Sequence, residues 1–205
     1  FKELITEEKN YYTLNLDKLS QFNHSNAILY QLLHPFGFRD WESVYDLKDA
    51  ETGKVVSSAT HLLEKNRNEL LIFVKEDQPN NIEIKIFETD KDVKFGTSVL
   101  KIEEVEKIEE IDQHLAYFDA DKLRFPLSIR LAQTKDKFFP LGLQMKQKKV
   151  SHFLRDEKVP TSIKKQTWVL CSNQEIVWVI NHRISEKFKV TENTKKCLKI
   201  SCLKA

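Results

Sequence analysis

The apolar residues of this chain occur in short segments whose spacing alternates between that of helices and that of strands. Residues 25–34 have helical spacing, whereas Ile82, Ile84 and Ile86 alternate with charged residues in the manner of a half-buried strand. No apolar run approaches the roughly 18 residues that a membrane-spanning helix requires. Short elements of both kinds predict an α+β protein, and the absence of a signal peptide predicts a cytoplasmic one.

Two helices are predicted in the first half, one capped by Ser25 and ended by Pro35 and Gly37, the other capped by Asp40. A third, short helix would bury Val150, Phe153 and Leu154 and end near residue 160. Asn80 and Asn81 mark a turn. Strands are predicted at residues 55–56, 70–74, 82–86, 127–131, 169–171, 176–180, 184–190 and 198–202.

Residues 99–111 leave two alternatives open. Ile102, Val105, Ile108 and Ile111 recur every three residues, which favours a helix, but their β-branched character favours a strand. The acidic residues between 103 and 112 are interpreted as a solvated face.

The polar stretch between Phe87 and Glu104 suggests a domain boundary. We therefore predict a helix-rich mixed domain over residues 1–95 and a mixed β-sheet domain with short helices over residues 100–205. The first residue is Phe1 rather than Met, so we expect the chain to be part of a longer protein.

Charge is distributed unevenly along the chain. Residues 1–121 contain 14 Lys and Arg against 25 Asp and Glu, a net charge of −11, and residues 122–205 contain 19 against 6, a net charge of +13. Such a split indicates a polyanionic partner for the basic half. The alternative is that the two halves neutralise each other within one protein or a homodimer.

Several kinds of active site are excluded by the sequence. With 4 Gly, the chain has no Gly-rich phosphate loop, and it has no nucleophile motif. The three Cys residues form no C-x-x-C pair, so we expect them to pack in the core of a protein from a reducing compartment. The six His residues are scattered and give no zinc site. We expect Asp119 and Asp121 to cap or turn the chain, His152 to lie at the surface and His182 in a turn. No catalytic residue, metal or cofactor is predicted within this chain.

Basic residues are concentrated between positions 135 and 165, where nine Lys or Arg stand against three Asp or Glu. Lys148, His152 and Arg155 stand at i, i+4 and i+7 of the third helix and therefore share one face, which suits phosphate oxygens. A solvated amphipathic helix is the alternative. The neighbouring Phe138, Phe139, Phe153 and Trp168 could stack on unpaired bases, although core packing is the more usual role of such residues.

The second half resembles the C-terminal domain of bacterial tRNA(Ile)-lysidine synthetases. The resemblance covers about 80 residues in order, and the first half resembles the family's middle domain more loosely, at residues 53–58, 62–63 and 67. In the second half it rests on residues 118–123, 125–127, 137–138, 140–142, 148–151, Phe153, Asp156, 158–160, 176–179, 183–184 and 188–191.

The sequence departs from the family at two places. The family often has Pro-Gly-Asp-Arg where this chain has Thr134-Lys135-Asp136-Lys137, so a tight turn and a bidentate Arg are replaced. His152 stands where the family usually has an acid. Lys and Arg are not equivalent phosphate ligands.

The resemblance implies an enzyme that uses ATP to attach lysine to the wobble cytidine of the isoleucine tRNA with anticodon CAU. ATP, Mg and lysine would bind an N-terminal PP-loop domain upstream of this chain. Residues 1–95 would then be the intermediate substrate-binding domain and residues 100–205 the tRNA-binding domain. We expect no DNA or membrane partner, and a homodimer without RNA contact is the alternative. The expected tRNA-binding residues are Lys135, Lys137, Lys146, Lys148, Lys149, Arg155, Lys158, Lys164, Lys165 and Arg183.

Overall fold

The computed structural model describes residues 4–8, 11–75, 82–106, 108 and 112–204. The chain divides into two compact units. Among described residues, the first unit comprises 4–8, 11–75 and 160–162, and the second comprises the remainder. The predictions at Asn80, Asn81 and Ile111 lie outside the described residues. No helix in the described ranges is long and apolar enough to cross a membrane.

The first unit is an antiparallel sheet with helices packed on it. The strand order is β1-β2-β5-β4-β3. Leu14, Leu63 and Ile72 of the sheet are buried with Leu29 and Leu33 of the second helix. The elements are β1 (Ile5–Glu7), β2 (Tyr11–Asn15), α1 (Leu16–Ser20), α2 (Ser25–Leu33), α3 (Trp41–Asp46), β3 (Val55–Ser57), β4 (His61–Asn66) and β5 (Glu69–Val74), with a 3-10 turn at His34–Phe36.

The two predicted helices of this unit are present, but only one has the predicted cap. Asp40 accepts a hydrogen bond from the Ser43 amide at 3.1 Å and begins α3. Ser25 is the first residue of α2 rather than its cap, since the cap position is His24, whose side chain makes no capping bond. Gly37, with φ of 78°, ends the 3-10 turn in the left-handed region, as a residue without a Cβ can at little cost.

Residues 160–162 belong to the first unit because they bind a buried carboxylate of β4. The Thr161 and Ser162 amides each donate to Glu64 at 2.8 Å. Glu64 is 1% exposed, so these two bonds stabilise a charge that would be costly to bury alone.

The second unit contains two antiparallel sheets and a two-stranded ribbon. The sheet orders are β15-β14-β13-β10-β6 and β7-β8-β16-β9, and β11 pairs with β12. The strands are β6 (Ile84–Ile86), β7 (Asp92–Phe95), β8 (Ser98–Val105), β9 (Leu115–Asp119), β10 (Leu127–Leu131), β11 (Lys137–Phe138), β12 (Lys148–Lys149), β13 (Trp168–Ser172), β14 (Glu175–Val179), β15 (Arg183–Ile184) and β16 (Cys197–Lys204). The helices are α4 (Val150–Asp156) and α5 (Thr161–Lys165), which begins among residues of the first unit, with 3-10 turns at Ala120–Lys122 and Glu186–Phe188.

The five-stranded sheet is covered on both faces over β13 and β14. Leu170 and Trp178 pack in a cluster with residues of the four-stranded sheet. Val169 and Cys171, on the opposite face, pack against Phe153 and other residues of the ribbon and α4. Burial on both faces explains why β13 is a continuous apolar run rather than an alternating one. The predicted α+β class is therefore confirmed.

The division between the units falls earlier than the boundary suggested between Phe87 and Glu104. β6 pairs with β10, and β7 pairs with β8, so residues 84–95 belong to the second unit. The polar stretch is an amphipathic pair of strands: Leu100 and Ile102 are buried, whereas Lys101 and Glu103 are exposed. The open question at residues 99–111 is settled in favour of a strand as far as Val105.

The two strands predicted at residues 169–171 and 176–180 are present and form an antiparallel hairpin, whose turn residues Asn173 and Gln174 have φ of 46° and 67°. The strand predicted over residues 184–190 is wrong in part. β15 contains Arg183 and Ile184, and the chain then forms the 3-10 turn at Glu186–Phe188. The buried Phe188 gives that stretch its strand-like apolar character.

The remaining candidate residues, among them Asp119 and His182, have roles within the fold. Asp119 is the last residue of β9 and precedes the 3-10 turn at Ala120–Lys122, but its side chain makes no capping bond. Burial favours a higher pKa for Asp119, but hydrogen bonds from Lys122 and Thr194 outweigh it, and the pKa is lowered. His182 lies in a turn, as predicted. No group of three or more potential metal ligands occurs in the described part of the chain.

The cysteines pack in the core, as predicted. All three are free and buried. Burial raises the pKa of the Cys171 thiol to about 11, and it also raises the pKa values of Cys197 and Cys202. Neutral thiols of this kind behave as small apolar groups.

An ion pair joins the end of β10 to the start of α4. The Arg130 guanidinium donates two hydrogen bonds to the Asp136 carboxylate, at 2.7 and 2.9 Å. The same carboxylate accepts the Gln133 amide at 2.7 Å, and the Asp136 carbonyl accepts the amide of Val150, the first helical residue, at 2.9 Å. One aspartate thus fixes the loop, the ribbon and the helix start.

We expect Arg130→Ala to lower the free energy of unfolding by about 2–3 kcal/mol, because it leaves a mostly buried carboxylate without its cation. Arg124→Ala is the matched control, since the Arg124 side chain is exposed and forms no ion pair among the described residues. Its effect should stay within about 0.5 kcal/mol. Urea unfolding of both variants measures the difference, and equal losses would contradict the role given to the ion pair.

Candidate nucleic-acid interface

The helix α4 presents its apolar side to the five-stranded sheet and its polar side outward. Val150, Phe153 and Leu154 are buried as the sequence predicted, whereas His152 and Arg155 are exposed. Phe138 of β11 meets Phe153 edge to face, with ring centroids 5.2 Å apart. Packing of this kind holds the ribbon and helix together as one platform.

Lys148 does not share the helix face that the spacing suggested. It lies in β12, because the helix begins only at Val150. The Lys148 ammonium instead lies 2.7 Å from an Asp156 carboxylate oxygen, and Arg155 Nε lies 3.4 Å from the other oxygen. The hydrogen bond from Lys148, together with Arg155, lowers the pKa of Asp156. Asp156, at the end of α4, thus neutralises part of the positive charge around this helix.

Arg183 is also paired. Its Nη2 atom lies 3.1 Å from a Glu157 carboxylate oxygen, and its guanidinium lies over the Phe153 ring, 5.5 Å from the centroid. Both contacts fix the guanidinium at the end of α4, with 39% of the side chain still exposed. A fixed, half-exposed Arg is suited to a phosphate oxygen at its outer edge.

Lysines without acidic partners are concentrated on the two-stranded ribbon. Lys137 and Lys149 are directly opposite each other in the β11–β12 register. Lys135 precedes β11, and Lys146 precedes β12. All four side chains are exposed and form no ion pair within the described ranges. We call these four residues the lysine ribbon.

Repulsion between Lys137 and Lys149 destabilises the ribbon. Side chains at paired positions of antiparallel strands point to the same side, and like charges placed there repel. An anion bound between the two ammonium groups would remove this repulsion. The lysine ribbon therefore has the electrostatic character of a polyanion-binding surface.

The other predicted lysines are less closely connected to this surface. Lys158 is exposed just after α4, and its amide donates to the Arg155 carbonyl at 2.9 Å. Lys164 is half-buried and Lys165 is exposed, both in the last turn of α5. The described contacts do not bring these two lysines together with the lysine ribbon.

Three of the four aromatic residues near the ribbon, Phe138, Phe153 and Trp168, pack in the core rather than forming a stacking surface. Phe138 and Phe153 are buried. Trp168 is half-buried and meets Phe95 edge to face at 5.3 Å. Phe139 is covered by Lys187, whose ammonium lies 4.6 Å from the ring centroid.

The departure from the family's Pro-Gly-Asp-Arg pattern does not remove the turn. The Asp136 amide donates to the Gln133 carbonyl at 3.0 Å, which closes the turn at residues 133–136. Arg130, six residues earlier, holds this turn by a bidentate contact with Asp136, a role that sequence reasoning missed. The only signal was the presence of an Arg and an Asp at the two ends of one loop.

Two family models match the chain. The model described as TilS substrate binding domain matches residues 7–75, in the first unit. The model described as TilS substrate C-terminal domain matches residues 127–202, which carry the lysine ribbon and α4. Together they cover most of both units.

Known relatives are similar over nearly the whole chain. The tRNA(Ile)-lysidine synthase of Parabacteroides distasonis is 31% identical over 98% of this chain and 46% of its own length. That of Bacteroides thetaiotaomicron is 29% identical over 90% of this chain and 42% of its own length. A solved structure of a TilS C-terminal domain has a TM-score of 0.47 and 14% identity, over 53% of this chain and 85% of that chain. The chain thus spans about half the length of these curated relatives.

We expect Lys137→Glu to make the protein more stable than Lys135→Glu by about 0.2–1 kcal/mol, because only the former places opposite charges across the ribbon. Each substitution reverses one charge, at positions two residues apart: Lys135 lies in the loop before β11 and Lys137 lies in β11. The difference should shrink as salt is added, since the side chains are exposed. Thermal unfolding at low and high salt measures it, and equal stability at low salt would mean that the two lysines do not repel.

Proposed function

The chain belongs to the tRNA(Ile)-lysidine synthase family, and we propose that it is the part of such an enzyme that binds tRNA and positions it for catalysis. In the whole protein, an N-terminal domain would use ATP, with Mg, to ligate lysine to the wobble cytidine of the isoleucine tRNA with anticodon CAU. The relatives, which are about twice as long as this chain, leave room for such a domain.

The lysine ribbon is the observation that carries this proposal. Four exposed ammonium groups, two of them directly opposed, have no acidic partner among the described residues and suit the phosphates of an RNA backbone. Arg155, Lys158 and Arg183 would extend the contact along α4. Double-stranded RNA hides its base edges in a deep groove, so recognition here would depend mainly on backbone shape.

Lys148, Lys164 and Lys165 have different positions in this proposal. Lys148 would mainly stabilise the ribbon and α4 rather than contact RNA, because its ammonium is held by Asp156. Lys164 and Lys165 would contact a more distant part of the RNA, since no described contact joins them to the lysine ribbon.

Binding to the CAU isoleucine tRNA and to a methionine tRNA across a salt series tests the proposal. About five neutralised phosphates should give a log–log slope of about −4 to −5. Lys137→Gln combined with Lys149→Gln removes two charges and should make the slope shallower by about 2. Lys91→Gln combined with Lys94→Gln is the matched control, since Lys91 precedes β7, Lys94 lies in it and both are exposed, and it should leave the slope unchanged.

The comparison of the two tRNAs separates two roles. Preference for the isoleucine tRNA would place discrimination within this chain, and equal affinities would make it a positioning module. Absence of binding at low salt would contradict the proposal. If the molecular mass then fell as salt was added, the basic half would serve a contact between copies of the chain.

A further inference from the structure

A cleft of about 700 Å³ opens in the second unit over β6 and β10. Lys85, Ser128 and Cys171 lie in one row of its floor, because Ser128 pairs with Lys85 on one side and with Cys171 on the other. Side chains of such a row point to the same face of the sheet. The cleft is therefore a polar part of a sheet face that α4 and the ribbon cover elsewhere.

The residues before β10 form a fixed part of the lining. The Arg124 amide donates to the Ser172 hydroxyl at 2.8 Å, and that hydroxyl donates back to the Arg124 carbonyl at 3.3 Å. Phe125 is half-buried beside it and packs on the main core. The backbone is thus held in place while the guanidinium of Arg124 remains exposed.

The cleft has more positive charge than its acidic residue can balance. Lys85 and Arg124 form no ion pair among the residues that the structure describes, and Glu83 is the acidic residue of the lining. Arg130 also lines the cleft, but Asp136 already holds its guanidinium. Two unpaired cations in a concave site suit a phosphate group.

The remaining lining groups suit a base. Gln133, Asn173 and Gln174 contribute carboxamides, which both donate and accept hydrogen bonds and can therefore read base edges. Phe125, which is half-buried and packs on the main core, also lines the cleft. A phosphate site beside carboxamides and an aromatic ring is the chemistry of a nucleotide site, and only an unpaired nucleotide exposes its base edges and face to such a concave surface.

We propose that this cleft binds an unpaired nucleotide of the RNA whose double-stranded part lies on the lysine ribbon. The inference rests on the proposed function, and the two sites are connected by the loop that contains both Gln133 and Lys135. The phosphate would lie on Lys85 and Arg124, and the base would contact Phe125 and the carboxamides. The cleft would then recognise the junction between paired and unpaired RNA.

The test compares a blunt RNA duplex with the same duplex carrying a single-stranded extension of about four nucleotides at its 3′ or its 5′ end. The wild-type chain should bind one of the extended duplexes about tenfold more tightly than the blunt duplex. Arg124→Ala and Lys85→Ala should each remove most of this preference without changing affinity for the blunt duplex. Lys94→Ala, an exposed lysine on β7, should leave both affinities unchanged.

The outcomes distinguish this inference from the proposed function. Equal wild-type affinities for blunt and extended duplexes would overturn the cleft site and leave duplex binding intact. Loss of blunt-duplex binding in Arg124→Ala would also overturn it, because Arg124 would then belong to the duplex surface. Failure of the wild-type chain to bind any of the RNAs at low salt would overturn both proposals.

A free nucleotide is the other source of the same chemistry. Adenosine monophosphate added as a competitor should not displace the extended duplex at concentrations comparable with that of the RNA. If it did, the cleft would be a site for a free nucleotide, and its assignment to RNA would be wrong.

Discussion

The bidentate ion pair between Arg130 and Asp136 is the interaction on which the basic platform of the second unit depends. It links the last part of β10 to a loop, and through the Asp136 backbone it links that loop to the first residue of α4. Apolar packing of Phe138 and backbone hydrogen bonds of Phe139 and Leu141 also hold the ribbon against the sheet, but the ion pair is what fixes the loop that precedes β11. Because both partners are largely shielded from water, the pair resists salt better than the exposed lysines around it.

The basic residues of the second unit are of two kinds: some are paired with carboxylates and stabilise the fold, and others are available to a ligand. Arg130 and Lys148 form ion pairs with Asp136 and Asp156. The four residues of the lysine ribbon form none among the described residues. A surface of this kind can exchange its counterions for phosphates without disturbing the packing beneath it. Sequence counts of Lys and Arg cannot make this separation, since they do not show which cations already have partners.

The sequence predicted those elements whose signals are local. The cap of α3, the apolar stripe of α4 and the hairpin of β13 and β14 each depend on residues close together in the chain. The position of Lys148 was not predictable in this way, because β12 forms only by pairing with β11, about ten residues earlier. The spacing of β8 was ambiguous for the same reason, since the whole strand pairs with β16, nearly one hundred residues later, and only residues 98–101 pair with the neighbouring β7. Pairing between distant segments leaves little trace in local periodicity.

The position of β16 within the four-stranded sheet has a consequence for how the second unit is made. The strand lies between β8 and β9 and pairs with both along most of their length. During synthesis, β8 and β9 leave the ribosome well before their shared partner, and each exposes an unsatisfied edge until it arrives. The sheet can therefore close only after β16 has emerged, and because this pairing joins segments far apart in the chain, it forms more slowly than a local hairpin.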